Sequence, residues 1–198
     1  MEILGITGGI GSGKSYVSHL LELRGIPVYD TDREAKRLTE SLPVIHQELE
    51  ALLGEDVFAE GRLNKPLLAA YLFDNHENAA RVNAIIHPRV LNDFKEWAWR
   101  QERQGKDIVA MESAILFESG FYRVTDHVLV VEAPLEVRIA RVMARDHAER
   151  VDVMQRIAAQ MDDKERVGRA DFVICNDGRT IPESQLERIL QLIGSKKR

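Results

Sequence analysis

Residues 5–20, GITGGIGSGKSYVSHL, leave this chain few ways to fold. A glycine-packed turn separates the β-branched apolar run EILGIT from an amphipathic run, and strand–turn–helix is the reading that suits both flanks. Gly8, Gly13, Lys14 and Ser15 match G-x-x-x-x-G-K-[ST] without a mismatch. Glycines let such a turn bring its N–H groups around a phosphate with no Cβ in the way. The positive end of the following helix adds to the attraction. Lys14 supplies a mobile cation for the β- and γ-phosphates, and the Ser15 hydroxyl suits Mg²⁺. Gly9, Gly11 and Gly13 do not make a dinucleotide fingerprint, so the loop points to a nucleoside triphosphate.

The helix after the loop is expected to carry Val17, Leu20, Leu21 and Leu23 inward and to stop at Gly25. IPVYD then reads as a second strand ending at Asp30 and Asp32, parallel to the first in a right-handed βαβ unit. From 33 to 106 helical patterns dominate, with Asn64 placed as an N-cap and Pro88 expected to break or kink the long pattern over 75–105. Trp97 and Trp99 cannot share a helix face, so one packs and the other is exposed. DIVAMES and DHVLVVEAP are continuous apolar runs typical of parallel strands covered on both sides. AILFESGFYRV joins them near the active edge. A charged helical stretch over 134–169 follows, then the strand DFVIC, the turn NDG, a helix over 182–192 and a frayed tail GSKKR. The expected fold is α/β: a parallel five-stranded sheet flanked by helices, core 1–32 and 107–198, with a helical insertion over 33–106.

Composition narrows the classes. A chain of 198 residues supports one core with an insertion. A net charge of -5 argues against a dedicated nucleic-acid binder. The single cysteine, Cys175, excludes an internal disulfide and reads as a small buried strand residue. No stretch approaches the ~20 apolar residues of a membrane span. No basic segment precedes a cleavable apolar run, so the default compartment is cytoplasmic.

Two classes use such a loop. A guanine-reading switch would carry Asn-Lys-x-Asp and Asp-x-x-Gly; here Asn64-Lys65 is followed by Leu67 in the Asp position, and no Asp-x-x-Gly occurs. A kinase needs a carboxylate for its acceptor hydroxyl. Asp30 and Asp32 lie where open α/β sheets bind ligands, although either also suits a helix N-cap. It also needs cations over the phosphoryl group, and Arg138, Arg141 and Arg145 share one helix face. On residues alone, a nucleoside or nucleotide kinase and a regulatory nucleotide binder stay open beside other kinases.

The motifs GITGGIGSGKS, GIPVYDTD, IIHP, ILFESG, VLVVEAPLEVRIARVMARD and DFVICNDG follow one another in an order and spacing that resembles the dephospho-coenzyme A kinase family along nearly the whole chain. That resemblance implies a P-loop kinase with a coenzyme-A-binding helical insertion and a lid over about 136–166. It implies Asp32 as the catalytic base for the ribose 3′-hydroxyl of dephospho-coenzyme A, with Lys14 and Arg141 in the catalytic set. Gly9, Gly11, Ser12, Gly13, Lys14, Ser15 and Tyr16 would contact ATP, joined by Arg145 and, near the adenine, Asn176 and Gly178. His87 and Pro88 would mark the acceptor region, although His87 also reads as a packed helix-end histidine. Ser15 would ligate Mg²⁺, with Glu112 acting through water. The expected partners are ATP and dephospho-coenzyme A, with no nucleic acid and no membrane, in a monomer or small homo-oligomer. The implied reaction is the last step of coenzyme A biosynthesis. Two departures stand out: Tyr16 replaces the family's usual Thr, and Ala114 its usual Pro.

Overall fold

The computed structural model describes residues 1–59 and 62–195. In chain order the first elements are β1 (Glu2–Thr7), α1 (Lys14–Glu22), β2 (Val28–Asp30), α2 (Thr31–Ser41), α3 (Pro43–Leu53), β3 (Phe58–Ala59), β4 (Arg62–Leu63), α4 (Lys65–Asp74) and α5 (His76–Arg103). They continue with β5 (Ile108–Glu112), β6 (His127–Glu132), α6 (Leu135–Asp146), α7 (Arg150–Ala158), α8 (Asp163–Gly168), β7 (Phe172–Cys175) and α9 (Pro182–Ser195). The chain forms two compact units, Met1–Tyr29 with Gln101–Arg198, and Asp30–Arg100.

The first unit is built on a five-stranded sheet in the order β2-β5-β1-β6-β7. β1 pairs in parallel with β5 on one side and β6 on the other, and β6 pairs in parallel with β7. β5 therefore separates β1 from β2, so the βαβ unit expected from the sequence spans one intervening strand. Leu4, Ile6, Ala110, Leu129, Val131 and Ile174 bury against Val17, Leu20 and Leu21 of α1 and Leu186, Ile189 and Ile193 of α9. Leu23, expected in this core, is 69% exposed, because α1 ends at Glu22 and the chain turns away there. Cys175 is half-buried rather than enclosed, its N–H and C=O both bonded by the Gln185 side chain at 2.9 Å.

The charged stretch over 134–169 divides into three helices. His147 closes α6 in the left-handed region (φ 52), and Asp162 caps α8 by accepting from the N–H groups of Lys164 and Glu165. The last helix runs on to Ser195, past the expected end at Leu192; the rest of the expected frayed tail, 196–198, lies outside the described residues.

In the second unit the capping chemistry is local. Asp30 accepts from the N–H groups of Asp32 and Arg33, both at 3.0 Å, to start α2. Asn64 accepts from Leu67 N–H to start α4, as the sequence implied. Leu38, Ile45, Leu49, Val57, Val82, Val90 and Phe94 are buried. Trp97 lies against Phe94 while Trp99 is 56% exposed, which bears out the expected split.

Pro88 does not break α5, which is continuous through it. Its ring removes one N–H and disturbs the carbonyls one turn back. Next to it Arg89 adds side-chain bonds across the same turn, its Nη1 donating to the Ile85 carbonyl at 2.9 Å and its Nη2 to Glu48 at 2.6 Å. Arg89→Ala should therefore destabilise the protein by about 1–3 kcal/mol, the scale of a lost charge-assisted bond. Urea denaturation should show a smaller loss for Glu48→Gln, which leaves the Ile85 contact in place.

Candidate active site

The site grows from the turn between β1 and α1. Ser12 N–H donates to the Gly9 carbonyl at 3.1 Å, tightening the turn. Lys14 Nζ reaches back to the Gly8 carbonyl at 2.9 Å. Gly13 must be glycine: its φ is 98°, and an added Cβ would stand 2.1 Å from Asn176 Nδ2. Because β5 sits beside β1 with Ile6 opposite Glu112, the Glu112 carboxylate meets the loop, and Ser15 Oγ donates to its Oε1 at 3.0 Å.

The three arginines of α6 share a face but not a task. Arg138 is 2% exposed; its Nε donates to the Ile10 carbonyl at 2.9 Å and its Nη1 to Asp163 at 2.5 Å. It is thus committed to the loop backbone, which departs from the expected row of three cations over a phosphoryl group. Arg141 donates to the carbonyls of Gly11 and Ser12 and to Asn176 Oδ1 at 3.3–3.4 Å. Arg145 is exposed and bidentate on Asp146, a pairing that raises the guanidinium and lowers the carboxyl. Gly11, Gly13, Lys14, Ser15, Arg141 and Arg145 line a cavity of about 180 Å³.

After β7 the chain turns through Asn176, Asp177 and Gly178. Asn176 is buried, and its Nδ2 donates to the Ser12 carbonyl at 2.8 Å. The Asp177 carboxylate accepts from Thr180 N–H and Arg179 N–H, which lowers its pKa to about 2, and Gly178 follows with φ 82°. Tyr16, unexplained by the sequence, donates its phenol to Glu183 in the first turn of α9. That bond raises the Tyr16 phenol and lowers the Glu183 carboxyl.

The loop, Glu112, Arg141, Arg145 and Asn176 converge within the sheet unit. Asp32, His87 and Pro88 belong to the helical unit. Asp32 is exposed in the first turn of α2, where the capping role has gone to Asp30. His87 is half-buried in α5, and burial pushes its imidazole below the usual range; Pro88 is exposed. Sequence reasoning missed Gln160, whose Oε1 accepts from Ile10 N–H at 2.8 Å, and Asp163, which joins Arg138 to buried Arg166. Gln160 lies 150 positions from its partner, and no local pattern announces such a contact.

The family model described as Dephospho-CoA kinase matches residues 2–182. A curated dephospho-CoA kinase of Bacteroides fragilis is 52% identical over 190 residues, covering 96% of this chain and 90% of the relative. A solved structure of a Thermus thermophilus protein superposes with a TM-score of 0.84 at 36% identity, covering 96% of each chain. A dephospho-CoA kinase from Campylobacter jejuni shares the fold, with a TM-score of 0.71 at 21% identity over the full length of both chains.

The Asp177 turn has a measurable pH signature. A carboxyl with a folded pKa of about 2 against an ordinary 3.8 stabilises the fold above the ordinary value, and this is lost as pH falls through about 2. Asp177→Asn should melt below the wild type at neutral pH, and scanning calorimetry should show the gap closing between about pH 4 and about pH 2.

Proposed function

This chain belongs to the dephospho-CoA kinase family, and from that premise we propose the roles of its residues. The reaction is transfer of the γ-phosphoryl group of ATP to the ribose 3′-hydroxyl of dephospho-coenzyme A, giving coenzyme A and ADP. The new bond joins the 3′-oxygen to the γ-phosphorus, the bond to the β–γ bridging oxygen breaks, and the hydroxyl proton goes to the Asp32 carboxylate. The observation that carries this reading is the loop itself, with Lys14, Ser15 and Arg141 lining one cavity and Glu112 bonded to Ser15.

Catalysis here is positioning and charge neutralisation. Lys14 and Arg141 balance the charge on the transferring group, with Arg145 joining from the exposed end of α6. The hydroxyl of Ser15 and the carboxylate of Glu112, 3.0 Å apart, are hard oxygen donors that suit magnesium. Among the described residues no group of three or more His, Cys, Asp or Glu gathers to cage a metal, which leaves the other coordination positions to phosphate and water. Ser15 would hold the ion directly and Glu112 through water, and the ion would supply charge neutralisation to the phosphates.

We assign acceptor binding to the helical insertion, with His87 and Pro88 in that region, and we assign the lid to about 136–166, with Arg138 and Gln160 fastening its base to the loop and Arg145 on its exposed side. The turn at Asn176 and Gly178 borders the adenine. The compartment we assign is the cytoplasm; among the described residues no helix is long and apolar enough to cross a membrane.

Asp32→Asn should keep ATP affinity and lower turnover by about 10²-fold or more, the range of general-base contributions. Lys14→Ala should weaken both affinity and rate. The assay follows ADP release with ATP, Mg²⁺ and a panel of dephospho-coenzyme A, nucleosides and nucleoside monophosphates. Release with nucleoside monophosphates alone would overturn the acceptor assignment, and near-normal turnover in Asp32→Asn would overturn the base.

A further inference from the structure

Two carbonyl groups of the loop, those of Ile10 and Ser12, are held by side chains far away in sequence. Within one trans peptide the C=O and the N–H point in opposite directions. Whatever anchors a carbonyl outward therefore aims the next residue's N–H inward. Arg138 Nε holds the Ile10 carbonyl at 2.9 Å, in the peptide that carries Gly11 N–H. Asn176 Nδ2 holds the Ser12 carbonyl at 2.8 Å, in the peptide that carries Gly13 N–H. Among the described residues, the N–H groups of Gly11 and Gly13 have no acceptor of their own.

Both anchors are built in. Arg138 is 2% exposed and its Nη1 is fixed by Asp163, which is fixed in turn by Arg166 at 2.6 Å. Asn176 is 9% exposed and its Oδ1 accepts from Arg141. The glycines make room for them: a Cβ on Gly9 would stand 2.2 Å from Arg138 Nη2, and one on Gly13 would stand 2.1 Å from Asn176 Nδ2. Gln160 adds a third tie, its Oε1 accepting from Ile10 N–H at 2.8 Å.

We propose that Arg138 and Asn176 are positioning residues for the phosphate cradle, each turning one loop peptide so that Gly11 N–H and Gly13 N–H face the donor's phosphates. The Asn176 side chain is then spent on the loop and on Arg141, and adenine contact at this turn falls to neighbouring backbone groups. The inference rests on the triphosphate-binding reading of the loop and not on the identity of the acceptor.

Calorimetric titration of the full chain with tripolyphosphate and, separately, with ATP at one magnesium concentration tests it. Asn176→Asp keeps the shape and the acceptor for Arg141 but sets an oxygen against the Ser12 carbonyl, and Asn176→Leu, run beside it, removes the same donor without adding a negative charge. Arg138→Lys keeps the charge but replaces the rigid fork, whose Nε and Nη1 serve Ile10 and Asp163 separately, by one nitrogen on a flexible stem. Each variant should weaken tripolyphosphate and ATP by the same factor, about tenfold, the size of one lost hydrogen bond at a buried site. The KM for dephospho-coenzyme A should stay within twofold. If Asn176→Asp weakens ATP while tripolyphosphate binding is unchanged, Asn176 is an adenine reader and the proposal falls. If neither ligand is weakened, in Arg138→Lys where Asn176→Asp does not fold, it falls as well. A wild-type chain that binds neither ligand overturns the triphosphate reading itself.

Discussion

The fold depends on satisfying a stretch of backbone that belongs to neither strand nor helix. Between Thr7 and Lys14 the chain has no ladder partner, yet its polar groups lie largely inside the protein. Buried N–H and C=O groups without partners cost free energy comparable to lost hydrogen bonds. Here the partners arrive from the other end of the sequence: Arg138 and Arg141 from α6, Gln160 from the link after α7, Asn176 from the turn after β7. The C-terminal part of the sheet unit thus acts as a mould for a loop near residue 10. The loop cannot hold its shape from local sequence alone, because glycine is conformationally permissive.

Strand order supplies the rest of that mould. Inserting β5 between β1 and β2 puts Glu112 opposite Ile6 and next to Ser15, while β6 on the other side delivers α6 to the loop. A sheet in simple chain order would give β1 a different neighbour and leave the Ser15 hydroxyl without that carboxylate. Strands β5 and β6 tolerate places inside the sheet because their middle residues, Val109–Met111 and Val128–Val131, are buried and apolar on both faces.

Much of this was legible in the residues. The loop motif fixes β1, the turn and α1; the continuous apolar runs give β5, β6 and β7; Asn64 marks the start of α4. What escaped follows from the limits of local pattern. Leu23 is apolar and near the core-facing stripe, but the helix ends before it, and periodicity cannot see a stop that precedes its glycine. Pro88 signals a break, yet α5 runs through it, and the Arg89 bonds to Ile85 and Glu48 that brace that turn are not visible in the local pattern. The antiparallel strands β3 and β4 have two residues each, too few to show alternation. The family resemblance supplied Asp32 and His87, which spacing alone leaves ambiguous between capping, packing and chemistry.

The arginines of α6 show most sharply why equal spacing does not mean equal function. Arg138, Arg141 and Arg145 stack along one face, yet they pass from buried to half-buried to exposed as the helix rises away from the loop. A buried cation is costly unless paired and fully hydrogen-bonded, so Arg138 comes with Asp163 and a loop carbonyl. At the other end water screens Arg145, and its pairing with Asp146 leaves it exchangeable. Arg141 lies between these limits, with three long bonds at 3.3–3.4 Å. Such bonds hold the guanidinium beside the cavity without saturating it, and that is the state a cation needs if it is to transfer its contacts to an incoming phosphate. Depth along a single helix thus separates a buried strut, a half-buried cation beside the cavity and an exposed cation at its rim, and sequence spacing carries no record of depth.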